Sequence, residues 1–362
     1  KCRDDAAKIK RNCGVSQIAA SMYDTLRVVL NDTKLSQGNK SLPRPHSHCN
    51  LASFLPITFL DHSTMKPGIR EVASAIACFL TLVSAVTITQ NTVSISTYSV
   101  SLGDLTINAG VYYSLVNNVE TLLSGKLDNE GGFYITAANG LAASVTMTGS
   151  SFLNAGTLAF NSLSASVIST YLISTTGTFT NTGSMYLGVS GATLLGTPFR
   201  VRSTSTWSNT GMMVFERSSG TSASVDIGLS LSSVTNAGSI CLYNTDWSQT
   251  ITIEGSGCIT VGESSQLTLL ITSYTLSTTQ TIYLSSSDSV LIISGLVSSS
   301  SAYPTYIIAG FGGGNVININ LSFTSYSYSS TTGILTIVNS IFRVYLNIGT
   351  DTRPRCFPQT PR

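Results

Sequence analysis

Hydrolytic chemistry on glycans needs a pair of carboxylates, or a carboxylate with a base and a metal. Asp128 and Glu130 are the first candidates, since alternate residues of a strand share a face. Both flank Asn129 in a turn-like stretch, where solvated charge is the ordinary expectation. Glu216 and Asp226, ten residues apart, are the other neighbouring acids. Residues 86–350 contain no histidine, which removes Ser–His and Cys–His nucleophile systems from that region. The three histidines (His46, His48, His62) lie upstream, and His46-Ser-His48-Cys49 has no partner cysteines at finger spacing. "GFGGGN" at 310–315 lacks the Gly-Lys-Ser/Thr ending of a phosphate loop and runs into the strand-like "VININ", so it reads as a backbone turn. The sequence thus implies no catalytic residue, no metal and no cofactor.

Other residues carry structural chemistry. Cys241 and Cys258 are the only cysteines between 86 and 350, and an even pair in an oxidising route suggests a Cys241–Cys258 disulfide. Asn320-Leu-Ser322 is an N-glycosylation acceptor. Arg200 and Arg202 form the one local basic spot of that region, read as a solvated loop. Tyr112, Tyr113, Tyr171 and Trp247 could stack on sugars or apolar surfaces if exposed, although packing is their commoner use. The ligand-binding residues are not legible.

These residues must be held by strands. Residues 86–350 carry five basic against ten acidic side chains and are about a third Ser plus Thr. So little charge among so many β-branched residues argues against surface helices. No Lys/Arg cluster supplies the footprint of a nucleic-acid partner.

An Asn-x-Gly turn returns along the chain at Asn108, Asn129, Asn154, Asn181, Asn209 and Asn236, in steps of 21, 25, 27, 28 and 27 residues. Alternating apolar residues flank it: Leu158 and Phe160, Met185 and Leu187, Met213 and Phe215, Ile240 and Leu242. A step near 27 built of strands and turns suits one coil of a stacked repeat. The fold class is therefore all-β, a parallel right-handed β-helix over 86–274, on the order of 30 Å long at about 4.8 Å per coil. Gly is expected to relieve a left-handed corner. Asn129, Asn154, Asn181, Asn209 and Asn236 are expected to stack as a hydrogen-bonded ladder.

After Gly238 the period loosens, and residues 275–350 read as a β-sandwich-like cap over the open end. Residues 351–362, "DTRPRCFPQTPR", read as a disordered tail. Upstream, "MKPGIREVASAIACFLTLVSAV" has the basic, apolar and small-residue layout of a secretory signal at 65–85. That makes residues 1–64 an extension outside the mature protein.

Several stretches together resemble one family: "GVYYSLVNN" (110–118), "NGLAASV" (139–145), "LAFNSLSASVIS" (158–169), "GTFTNTGSMYLGVSG" (177–191) and "QTIYLSSS" (280–287), with "GFGGGN". They are similar to the N-terminal domain of hyphally regulated cell-wall proteins, the Hyr/Iff-type adhesins of yeasts, from about Val86 to Gly349. The resemblance implies a secreted, non-enzymatic effector domain at the fungal cell surface. It implies attachment to host-cell or abiotic surfaces, through glycans or proteins, and roles in biofilm formation and virulence. It also implies linkage to cell-wall glucan through a GPI remnant, whose apolar signal this chain does not carry. The rival readings are a β-helical polysaccharide-active enzyme and a purely structural wall component.

Overall fold

The computed structural model describes residues 85–95, 98–190, 197–229, 233–296 and 303–350. The signal-like segment up to 84, the upstream His46/His48/Cys49 cluster and the 351–362 tail lie outside the described residues. All assigned elements are strands, and they form three sheets of eight, thirteen and ten.

The chain visits the sheets in rotation. One full coil runs Ser151–Asn154, Thr157–Ser162 and Thr170–Thr175, and Thr178–Asn181 opens the next. Each strand pairs in parallel with its equivalents one coil before and after. The result is a parallel β-solenoid of about eight turns. We call its faces the asparagine sheet (eight strands), the long sheet (thirteen) and the ten-strand sheet.

Stacking in register lines up like residues. Phe133, Leu158, Met185, Met213, Ile240, Ile259, Ile282 and Ile308 make one inward row of the long sheet. Every member is buried. On the asparagine sheet the inward row contains Phe152, Phe179 and Trp207, stacked at centroid distances of 4.7 and 4.9 Å. A single coil could bury neither row; stacking supplies the missing walls. Tyr113, Tyr171 and Trp247 are buried in the same core, so packing is their role.

Gly110, in the first corner, has the expected left-handed backbone at φ 77°; the later glycines of the repeat act differently. None of Gly156, Gly183, Gly211 and Gly238 has a positive φ. A Cβ on each would lie 2.0 Å from the carbonyl oxygen of the glycine one coil below. Close approach of stacked corners, not a left-handed backbone, demands glycine there.

Residues 275–350 form no separate sandwich. Thr281–Leu284 and Thr305–Ala309 continue the long sheet in parallel, and Val290–Ser294 and Val316–Ile319 continue the ten-strand sheet. Only Ser325–Ser329, Ile334–Val338 and Arg343–Asn347 turn antiparallel, as a meander that joins the long sheet at Thr305–Ala309. The coils persist because their inward rows stay apolar after the Asn-x-Gly turn is gone. The meander then occupies the last strand's hydrogen-bonding edge.

Candidate functional site

The asparagine corner is the most regular polar structure in the molecule. Asn129, Asn154, Asn181, Asn209 and Asn236 occupy one register position on successive strands, each fully buried. Each Nδ2 donates to the Oδ1 of the next: 2.7 Å from Asn129 and from Asn154, 2.8 Å from Asn181 and from Asn209. The second Nδ2 proton goes to a backbone carbonyl one coil on, that of Thr157, Ser184, Met212 and Ser239 in turn. The column ends on Gln280, whose Oε1 accepts from Asn236 Nδ2 at 3.1 Å. Its lower end is open. Ile107, not Asn108, stands opposite Asn129, so Asn129 Oδ1 is buried without a donor. Asn108 is exposed one residue past the strand. These amides hold corners together and are all buried out of reach of a ligand.

The carboxylates singled out from the sequence do not converge. Asp128 is half-buried on the strand Leu127–Asn129, while Glu130 is exposed in the turn after it. Glu216 lies on the long sheet and Asp226 on the ten-strand sheet. Among the described residues no group of three His, Cys, Asp or Glu could hold a metal ion. The Gly-rich 310–315 stretch closes on itself, with Asn315 Nδ2 donating to the Gly310 carbonyl at 2.8 Å and Gly312 N–H donating to Asn315 Oδ1 at 2.9 Å.

The expected Cys241–Cys258 bridge is not formed. Register sets Cys241 opposite Thr260 and Cys258 opposite Ser239. Such diagonal neighbours are roughly 8 Å apart at Cα, beyond the usual disulfide span of about 4.4–6.8 Å. Cys241 is disulfide-bonded, and Cys258 is not its partner. Asn320 is exposed just past the strand Val316–Ile319, its Nδ2 donating to Ser294 Oγ at 2.6 Å.

Arg200 and Arg202 lie on a strand, Phe199–Ser203, not in a loop. Arg202 Nη2 is ion-paired with Asp226 on the next coil of the ten-strand sheet. The pair borders a surface notch of about 380 Å³, lined also by Ser224, Asp246, Ser248 and Thr250. Asp246 stands opposite Ser224 and accepts from the Ser222 hydroxyl. Burial pushes its carboxyl above the ordinary value, against that hydrogen bond. The notch therefore mixes a guanidinium, two carboxylates and several hydroxyls on rigid strands, a set suited to a hydroxyl-rich ligand whose groups both donate and accept. In the sequence Arg202 and Asp226 stand in separate motifs. Their offset of 24 residues, close to one coil, is the signal that joins them.

Fold and site define a stacked solenoid stabilised by polar and apolar columns, with a polar notch on its outer surface. The particular family follows from sequence similarity: residues 76–361 match the hyphally regulated cell wall protein N-terminal family, and the chain belongs to it. It is 34% identical over 299 residues to cell wall protein IFF9 of Candida albicans, covering 80% of this chain and 31% of that protein. Against hyphally regulated cell wall protein 3 of the same organism it is 36% identical over 292 residues, 77% of this chain and 23% of the relative. Cell wall protein RBR3, also of Candida albicans, is 36% identical over 289 residues, 77% of this chain and 18% of the relative. The chain thus spans under a third of the length of these relatives.

Proposed function

We propose that this chain is the secreted N-terminal module of a fungal cell-wall adhesin, acting without catalysis by attaching to host-cell or abiotic surfaces and supporting biofilm formation. One observation carries the reading: residues 76–361 match the cell wall protein family, and relatives named for the cell wall are 34–36% identical over 77–80% of the chain. Location at the cell surface follows from the same relatives, and linkage to wall glucan is part of the proposal.

The mechanism is weak contact multiplied. A rod of strands presents flat Ser/Thr-lined faces, and many copies on one surface convert modest affinities into firm attachment. The notch at Arg202, Asp226 and Asp246 is the polar contact we assign to recognition of hydroxyl-rich surfaces.

The test is adhesion of beads coated with the purified secreted chain to glycan-coated, protein-coated and plastic surfaces, with a polysaccharide-cleavage assay alongside. The reading expects bead retention on at least one surface and no cleavage products. The double variant Arg202→Ala/Asp226→Ala should lose about tenfold in retention on glycan, because charge-assisted hydrogen bonds of about 1.5–3 kcal/mol are removed. Cleavage products, or equal indifference to every surface, would overturn the proposal.

A further inference from the structure

The ten-strand sheet ends on an open edge. Its last strand, Val316–Ile319, pairs with Val290–Ser294 and, among the described residues, with no other strand. Val316 and Asn320 donate their N–H groups to the carbonyls of Ser289 and Ile293, one coil below. Alternation along the strand then turns the N–H and C=O groups of Ile317 and Ile319 to the open side. Apolar side chains stand exposed around that edge: Val316 at 48%, Leu321 at 37% and Phe323 at 36%.

An edge of this kind pairs with other chains unless something blunts it, and charges or proline are the usual devices. Residues 311–342 contain no Lys, Arg, Asp, Glu or Pro. Within them "VININLSF" (316–323) is uncharged and rich in apolar and β-branched residues, the pattern of segments that stack edge to edge. What the edge does carry is Asn320-Leu321-Ser322, the one Asn-x-Ser/Thr acceptor between 86 and 350. We propose that Asn320 bears an N-linked glycan, and that this glycan shields the open edge from pairing with a second copy of the chain.

The geometry suits the modification. Asn320 and Ser322 are both exposed, and the chain bends at Asn320 as it leaves the strand. Asn320 adjoins Leu321 and lies about 13 Å along the strand from Val316. A bulky, hydrated group on its Nδ2 therefore stands over the apolar end of the edge. The amide nitrogen has two protons. One goes to Ser294 Oγ on the coil below, at 2.6 Å, and holds the amide in place. In the transfer Nδ2 gives up the other and bonds to the anomeric carbon of the sugar. The bond from that carbon to a phosphate oxygen of a lipid-linked oligosaccharyl diphosphate breaks, and the lipid diphosphate leaves with the electron pair. A cell-wall protein meets that donor on the secretory route.

Without the sugar, the natural partner of this edge is the same edge of another copy. Antiparallel pairing about a two-fold axis satisfies the Ile317 and Ile319 groups of both chains at once. With the sugar, two edges cannot approach to the roughly 4.8 Å of a strand pair. The glycan does for this strand what an edge lysine does in other sheets. The shield depends on secretion alone, and not on what the notch at Arg202 binds.

The full chain secreted from a yeast tests both halves. Enzymatic release of N-glycans in heavy-oxygen water should convert Asn320 to a labelled aspartate, and Ser322→Ala should abolish the label. In sedimentation the glycosylated wild type should run as a monomer. Ser322→Ala, and folded wild type trimmed by an endoglycosidase to a single sugar, should shift to dimers or larger species as concentration rises. Adding Asn318→Lys to Ser322→Ala should restore the monomer, because a charge blunts the edge. Unmodified Asn320 in the secreted wild type would overturn the proposal. So would a Ser322→Ala protein and a trimmed wild type that both stay monomeric, or association that Asn318→Lys leaves unchanged.

Discussion

The asparagine sheet and the long sheet are walls of one solenoid, yet they end at different heights. The first has its last strand at Thr252–Glu254, followed only by a single bridge from Ile253 to Leu276, while the second continues through Thr281–Leu284 and Thr305–Ala309. The difference lies in what each wall stacks. Asparagine amides bond only when successive corners superimpose to within a few tenths of an ångström, so their wall needs coils of nearly equal length. Hydrocarbon rows need only contact, and Ile259, Ile282 and Ile308 supply it through coils of altered length. A polar ladder fixes register; an apolar row tolerates its change.

The largest effect expected from breaking this arrangement is Gly183→Ala. The new Cβ would meet the Gly156 carbonyl oxygen at 2.0 Å, and that neighbour is backbone. A loss on the order of 4 kcal/mol in urea unfolding is expected, or failure to be secreted. An unchanged midpoint would contradict the close-approach account.

Asn181→Ala should rank next. It removes the acceptor for Asn154 and the donor to Asn209 Oδ1 and the Met212 carbonyl. Leaving those buried groups unpaired costs about 3 kcal/mol. Asn129→Ala removes donors alone, since its Oδ1 has no partner, and should cost about 1 kcal/mol less than Asn181→Ala. Equal losses at the two positions would show that the rungs are independent of their place in the column.

The smallest effect concerns the long sheet's outer face. Burial raises the Glu216 carboxyl above its ordinary value, so the folded state binds its proton more tightly than the unfolded chain does. Stability from this group is therefore greatest in acid and declines as pH rises from the ordinary carboxylate value through the raised one. Glu216→Gln should flatten that decline in thermal melts. A slope unaffected by the substitution would place the pH dependence elsewhere.

Much of the asparagine wall was legible because one polar residue repeats at coil spacing between apolar alternations. The first corner misled, since Asn108 keeps the motif while Ile107 holds the column's register position. Comparing Leu105-Thr106-Ile107 with Leu127-Asp128-Asn129 shows the shift through strand parity. The role of the glycines was hidden because a corner needing positive φ and a corner crowded by its neighbour select the same residue. The continuation past 274 was hidden for a related reason: hydrocarbon rows have no signature turn. The notch was hidden because Arg202 and Asp226 meet only after one coil is laid on the next.

Side-chain amide hydrogen exchange on isotopically labelled protein measures the column itself. The Nδ2 protons of Asn154, Asn181 and Asn209, each spent on a buried bond, should exchange orders of magnitude more slowly than those of exposed Asn108. Rates matching Asn108 at all three would mean that the corners are stacked without being bonded to one another.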